Sequence, residues 1–310
     1  MTTQPLRVRV LGPVRAWRED GEVRLGAARS RAVFAVLALN PGRVITQHDL
    51  VTAVWGDDPP ASAKGVLHTY ICGLRGAVEP GRARWAQGET LVSDGGGYVL
   101  RMSRDGLDAH RCATLVGDAE TLLSKQEYLG ARQTIDAAIA LWRGTPLSGL
   151  MSPFAERQRA RLQDLLVTLR ERRAEALIGL GDYADAIAEL ADLAAEHPLR
   201  ERFHALLMVA LHRSGRSVEA LEVYRQARAV LVEDLGVEPG PLLRSLHANV
   251  LGGGNVELPG QSQMTSRAPV TPRPYEILQP QAMRGRGVPV AARRSVSCAP
   301  SLNGMRSETL

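Results

Sequence analysis

The polar residues of KGVLHTYICGLRG, residues 64 to 76, fall on one side of a predicted helix. At about 100° per residue, Leu67, Ile71, Leu74 and Val78 line up as an apolar stripe. The opposite side carries Ser62, Gly65, Thr69, Cys72, Gly73 and Gly76, flanked by Lys64, His68 and Arg75. An interior glycine costs a helix about 1 kcal/mol relative to alanine, so so many on one face ask for a reason. Missing side chains let a helix backbone come close to another surface. The hydroxyls, imidazole, ammonium and guanidinium left standing are groups that hydrogen-bond to base edges and phosphates. A poorly optimised surface helix is the competing reading of the same residues.

The elements around this helix favour the first reading. LRVRVLGPVRAW, residues 6 to 17, alternates apolar and polar side chains, and EVRL at 22 to 25 follows an Asp-Gly turn signal, which predicts an antiparallel strand pair. RSRAVFAVLALN, residues 29 to 40, is apolar nearly all round, as a central buried helix is, and Pro41 and Gly42 stop it. Thr46 is expected to cap a helix running to Trp55, with Asp49 completing a capping box, and the free amides there are a seat for phosphate. Ser62 is expected to cap the glycine-bearing helix. Residues 90 to 102 read as strand, flexible tip and strand. Strands, three helices and a terminal hairpin make the layout of a winged helix-turn-helix, with the third helix in the major groove.

Within that layout Arg75 either clamps a phosphate or guanine, or is a solvated cation at a helix end. His68 either contacts a base or phosphate or is an ordinary surface side chain. Gly95, Gly96 and Gly97 either let the wing approach the minor groove or simply make a loose turn. Trp55 is assigned to packing.

From 106 to 253 the pattern is all helical. At an offset of 34 residues Gly181 aligns with Gly215, Ala186 with Ala220 and Ile187 with Leu221, the period of tetratricopeptide hairpins. The fold class is therefore mainly α with small β. It comprises a winged helix over 1–105, expected to fold alone, an all-α tetratricopeptide-like domain over 106–253, and a disordered basic tail over 254–310, rich in Gly, Pro, Ser and Arg. The two ends are basic, with 14 Lys+Arg against 10 Asp+Glu before residue 106 and 7 against 3 after residue 253; the middle is acidic, with 17 against 20. Arg284, Arg286, Arg293 and Arg294 on the tail are expected to add sequence-independent DNA affinity.

Other classes find little support. Three cysteines, Cys72, Cys112 and Cys298, lack metal spacing and an even count, and are read as reduced thiols. No HExxH, GxSxG or GxxxxGK[ST] pattern occurs, so neither an enzyme nor a cofactor is expected. No apolar run nears the roughly 18 residues that span a bilayer, and MTTQPLRVRV lacks a signal-peptide core; the expected place is the cytoplasm, at the nucleoid. The runner-up is a protein-interaction module whose helical repeats hold a partner and whose winged helix does not bind DNA.

The motifs resemble a known family. LWRGTPLSGL at 141 to 150, EHPLRERFHALLMVALHRSGRSVEALEVYRQAR at 196 to 228 and DLGVEPGPLLRSLHANVL at 234 to 251 look like the bacterial transcriptional activation domain. LRVRVLGPVRAW, DLVTAVWGDDPPASAK and GYVL look like the OmpR-type winged helix. Together, over residues 6 to 251, they resemble the SARP family, the Streptomyces antibiotic regulatory proteins. The resemblance implies a pathway-specific activator that binds direct repeats in double-stranded promoter DNA, self-associates there and recruits RNA polymerase holoenzyme through its sigma factor or alpha subunit. Similar proteins in larger forms add an ATPase domain; with no GxxxxGK[ST] loop and no receiver domain before the winged helix, the small form is expected here. Where this chain has Gly73, Gly76 and Asp94, family members commonly carry arginines and a basic or proline-containing wing tip, which implies weaker phosphate binding here.

Overall fold

The computed structural model describes residues 5–19, 21–80, 88–254 and 258. The expected tail, 254–310, lies almost entirely outside the described residues.

The N-terminal sheet has three antiparallel strands, β1 (Arg7–Arg9), β2 (Arg15–Arg18) and β3 (Gly21–Glu22), in the order β1-β2-β3. The alternating run read as one strand is thus two. Gly12 and Pro13 break it because the loop between β1 and β2 is drawn onto the helical domain. A Cβ on Gly12 would sit 2.9 Å from the Arg143 carbonyl oxygen. Arg143 N–H donates to the Leu11 carbonyl at 2.7 Å, and Leu147 N–H to that of Val10 at 3.0 Å.

Helix α1 (Ala28–Ala38) is buried on nearly every side, from Ala32 through Ala38, as its all-round apolarity predicts. Buried Asn40 ends it by donating from Nδ2 to the Val36 carbonyl at 2.8 Å, and Gly42, at φ 74°, turns the chain away. Around α1 pack α2 (Gln47–Trp55) and α3 (Ala63–Val78). The expected stripe on α3 is buried, with Leu67, Ile71, Leu74 and Val78 all at 1 % exposure or less. A second sheet, in the order β4-β6-β5, joins β4 (Ile45–Thr46) to the hairpin of β5 (Leu91–Asp94) and β6 (Gly97–Leu100). This hairpin is the wing.

The C-terminal part is helical throughout: α4 (Asp108–Ser124), α5 (Tyr128–Ile139), α6 (Pro153–Leu180), α7 (Tyr183–Glu196), α8 (Glu201–Arg213), α9 (Ser217–Leu235) and α10 (Pro241–Leu251). The 34-residue offset corresponds to the hairpins α6–α7 and α8–α9. Gly181 and Gly215 occupy the left-handed region at φ 83° and 82°, and Ala186 and Ala220 are fully buried. The hairpin α4–α5 makes the same turn. The N–H groups of Glu127, Asp182 and Arg216 each reach back five residues, to Leu122, Leu177 and Leu211, as a Schellman helix end does. In α4–α5 the left-handed residue is Gln126, at φ 59°, in place of glycine. That substitution hid the third hairpin from the sequence pattern.

The apolar interior divides in an unexpected place. One cluster runs from Leu6 to Leu169 and another from Ala174 to Leu258, so the break falls inside α6. Leu107, Cys112, Leu147 and Leu162 share the interior of the winged helix.

Candidate nucleic-acid interface

The exposed side of α3 is as bare as its composition indicates. A Cβ at Gly65, Gly73 or Gly76 would meet nothing within 4 Å. Ser62, Lys64, His68, Thr69 and Cys72 are exposed beside them. Thr69 Oγ1 donates back to the Gly65 carbonyl at 3.2 Å, so the hydroxyl proton is used within the helix. Ser62 differs from expectation. Its backbone is already helical, at φ −77° and ψ −6°, and its hydroxyl caps nothing; the first turn instead closes through Ala63 N–H to the Pro60 carbonyl at 2.8 Å.

The wing is fastened to the second half of α3. Arg75 donates from Nε to the Leu91 carbonyl at 2.9 Å and from Nη2 to Ser93 Oγ at 2.7 Å, and its guanidinium lies 5.8 Å from the centre of the Tyr98 ring. Half-buried Arg75 therefore braces the wing, which neither sequence reading of it foresaw. Glu79 accepts from the Leu91 N–H at 3.2 Å and from the Thr90 N–H. His68 Nδ1 and the Tyr98 hydroxyl are 2.9 Å apart, with the rings edge to face. The sequence carried little sign of these ties, because Ser93, Tyr98 and Glu79 lie 11 to 30 residues from their partners in ordinary strand and helix-end positions.

At the wing tip Gly95 and Gly96, at φ 51° and 81°, fill a two-residue turn between paired Asp94 and Gly97; two consecutive positive φ values fit a type I′ hairpin. Gly97 serves the sheet, for a Cβ there would lie 2.4 Å from the Ile45 carbonyl oxygen. Thr46 caps α2 as expected. Its Oγ1 accepts from the Asp49 N–H at 3.1 Å and donates to the Asp49 carboxylate at 2.8 Å. Gln47 N–H reaches the Gly96 carbonyl at 3.3 Å. Two of the amides expected to be open to phosphate are thus used inside the fold, with a carboxylate next to them. Trp55 packs as expected, stacked on Tyr70 with centroids 6.3 Å apart.

Thr46, His68, Arg75 and Gly95–Gly97 therefore meet around the wing, while Ser62, Lys64 and Gly65 stand about 15 to 20 Å along α3 from Arg75. Together they present one helix face and one hairpin, a shape suited to a groove and its bordering phosphates. Among the described residues, no group of three or more His, Cys, Asp or Glu residues could hold a metal ion. Nor is any described helix long and apolar enough to cross a membrane.

Both parts of the fold match known families. Residues 21–100 match the model of the transcriptional regulatory protein C-terminal family, and residues 107–251 that of the bacterial transcriptional activator domain. The regulatory protein DnrI of Streptomyces peucetius is 34% identical over 254 residues, covering 79% of this chain and 92% of DnrI. The chain belongs to the SARP family of transcriptional regulators. AfsR of Streptomyces griseus is 40% identical over 250 residues, which cover 81% of this chain and 25% of AfsR. The SARP chain thus spans about a quarter of the length of that relative. Its fold is similar to that of Mycobacterium tuberculosis EmbR in complex with a low affinity phosphopeptide, with a TM-score of 0.76 and 29% identity, over 84% of this chain and 69% of EmbR. The family is one of regulators, not enzymes.

Proposed function

We propose that this SARP chain is a sequence-specific, DNA-binding transcriptional activator at the nucleoid, serving an antibiotic or other secondary-metabolite pathway. Its recognition element is α3 with Lys64, His68 and Thr69, and the wing tip at Gly95 and Gly96 follows the neighbouring backbone. The observation that carries the reading is the bare, polar face of α3 held against the wing by Arg75 and Tyr98. A helix with no side chain at three exposed positions, braced by a hairpin, is a costly arrangement for a surface with no partner.

The helical domain acts as the activation surface. Heads sit side by side on direct repeats, and their helical domains contact one another and RNA polymerase holoenzyme through its sigma factor or alpha subunit. The test is selection of duplexes by the full chain from a random library, followed by transcription from a promoter carrying the selected site. Enrichment of a repeated motif that also drives transcription is expected. Recovery of no duplex would leave a helical-repeat interaction module in its place.

A further inference from the structure

We infer that Tyr98 on the wing fixes the tautomer of His68 on α3, so that His68 presents an N–H donor, and no acceptor, to DNA. The inference rests on the DNA-binding reading above and adds a rule of specificity to it.

The state of the Tyr98 hydroxyl decides the tautomer. Tyr98 is 3 % exposed, and burial pushes its phenol above the ordinary range although the Arg75 charge pulls the other way. The hydroxyl therefore keeps its proton, which needs an acceptor. Among the described residues its only hydrogen-bond partner is His68 Nδ1, at 2.9 Å. Were Nδ1 protonated and donating to the phenol oxygen, the hydroxyl of this 3 % exposed residue would have no acceptor among the described residues, and a polar group buried without a partner costs about 1 to 3 kcal/mol. With Nδ1 as acceptor both groups are satisfied. A neutral imidazole carries one proton, which then sits on Nε2.

Nε2 lies across the ring from Tyr98, makes no hydrogen bond among the described residues and belongs to an exposed side chain on the bare face of α3. The edge-to-face packing of the two rings, with centroids 6.2 Å apart, fixes its direction. A single outward donor complements purine N7, guanine O6, thymine O4 or a phosphate oxygen. It has no complement in cytosine N4 or adenine N6, which are themselves donors. Tyr98 is thus a positioning residue, acting on DNA through His68.

The test has an arm that needs no DNA. Nitrogen-15 labelling of histidine in the full chain reads the tautomer directly. We expect the proton of His68 wholly on Nε2, and in Tyr98→Phe, which keeps the ring and removes only the hydroxyl, relaxation toward the mixture of a free imidazole, in which Nδ1–H is also populated. A proton on Nδ1 overturns the inference. The second arm uses a duplex selected from a random library by the chain itself. Tyr98→Phe should lower affinity about three- to tenfold, whereas His68→Gln, whose amide offers a donor near the Nε2 position, should keep most of it. Adding Tyr98→Phe to His68→Gln should then cost nothing further. An equal loss in that background overturns the inference, since Tyr98 would not be acting through His68. Replacing a single purine by its 7-deaza analogue, or a single phosphate by methylphosphonate, tells a base acceptor from a backbone one. If the wild-type chain enriches no duplex, the DNA reading falls, and the labelling arm alone decides the tautomer.

Discussion

At the scale of single residues, the three open glycines of α3 and the braced Arg75 separate the charge of this surface from its shape. Gly73 and Gly76 face open space, so arginine fits at either without displacing anything. Gly73→Arg should stabilise the fold by up to about 1 kcal/mol, because an exposed helical glycine is removed. It should also steepen the slope of log K against log salt by about 0.9 for each new phosphate contact. Gly73→Ala should give the first effect without the second. Thermal melts and salt titrations on one duplex check both, and an unchanged slope in the arginine variant would show that this side of α3 does not border the backbone. Arg75 is expected to behave in the opposite way. A lysine keeps the positive charge but cannot reach the Leu91 carbonyl and Ser93 Oγ together. Arg75→Lys should therefore weaken duplex binding nearly as much as Arg75→Ala, by about tenfold for two lost hydrogen bonds, with faster amide exchange in β5. Full retention of affinity by lysine would mean that charge at this point matters and bracing does not.

At the scale of elements, the same glycine-to-alanine change has opposite consequences depending on what packs there. Gly97→Ala drives a methyl group to within 2.4 Å of the Ile45 carbonyl oxygen, where β4 pairs with β6. We expect a loss of about 2 kcal/mol in urea denaturation, the cost of overpacking, together with a displaced wing tip; stability equal to wild type would show that β4 yields freely. This contrast also marks what the sequence could convey. The period of Leu67, Ile71, Leu74 and Val78 is local, so both the buried and the bare face of α3 could be read from it. The all-round apolarity of residues 29 to 40 revealed a central helix for the same reason. The ties that turn α3 and the wing into one surface were not legible, because Arg75 to Ser93 and His68 to Tyr98 join residues 18 and 30 positions apart, and no period encodes such pairs. The break at Gly12 and Pro13 is also tertiary in origin, since the Arg143 backbone fills the space beside Gly12. The hairpin α4–α5 leaves no mark in the sequence pattern because Gln126 takes a left-handed position where glycine is the usual signal.

At the scale of the whole molecule, head and helical domain are joined by more than a linker, and the joint centres on Asp108. At 6 % exposure, its carboxylate accepts from the Val10 N–H at 2.9 and 3.0 Å, from Leu11 N–H at 3.0 Å and from Ala109 N–H at 2.8 Å. A fragment ending at residue 105 loses these acceptors for the loop between β1 and β2. It also uncovers the interior that Leu107, Cys112, Leu147 and Leu162 complete. From its element pattern alone 1–105 is expected to fold by itself; with this packing we expect it to unfold without cooperativity, while 1–180, which keeps α4 to α6, melts in a single transition. A sharp transition in the shorter fragment would show that the joint is dispensable. The charge at the joint makes a finer test. Burial pushes the Asp108 carboxyl up to about 6, against the pull of its three backbone hydrogen bonds and of Arg9. A carboxyl whose folded pKa is raised takes up its proton in the folded state before the unfolded chain does. Its contribution to stability therefore falls as pH rises through about 6 and is fully present only below about 4. Asp108→Asn cannot titrate, and it sets an amide nitrogen against backbone N–H groups, which should cost about 1 to 3 kcal/mol at neutral pH. The gap between wild type and Asp108→Asn should then widen by on the order of 2 kcal/mol between pH 7 and pH 4, opposite in sign to the loss expected where an ion-paired carboxylate is protonated. Denaturation midpoints of the two proteins across that range decide the matter. A gap that narrows on acidification would mean that the backbone amides of Val10 and Leu11 outweigh burial, and that the joint is held by a carboxylate at every pH where the protein is folded.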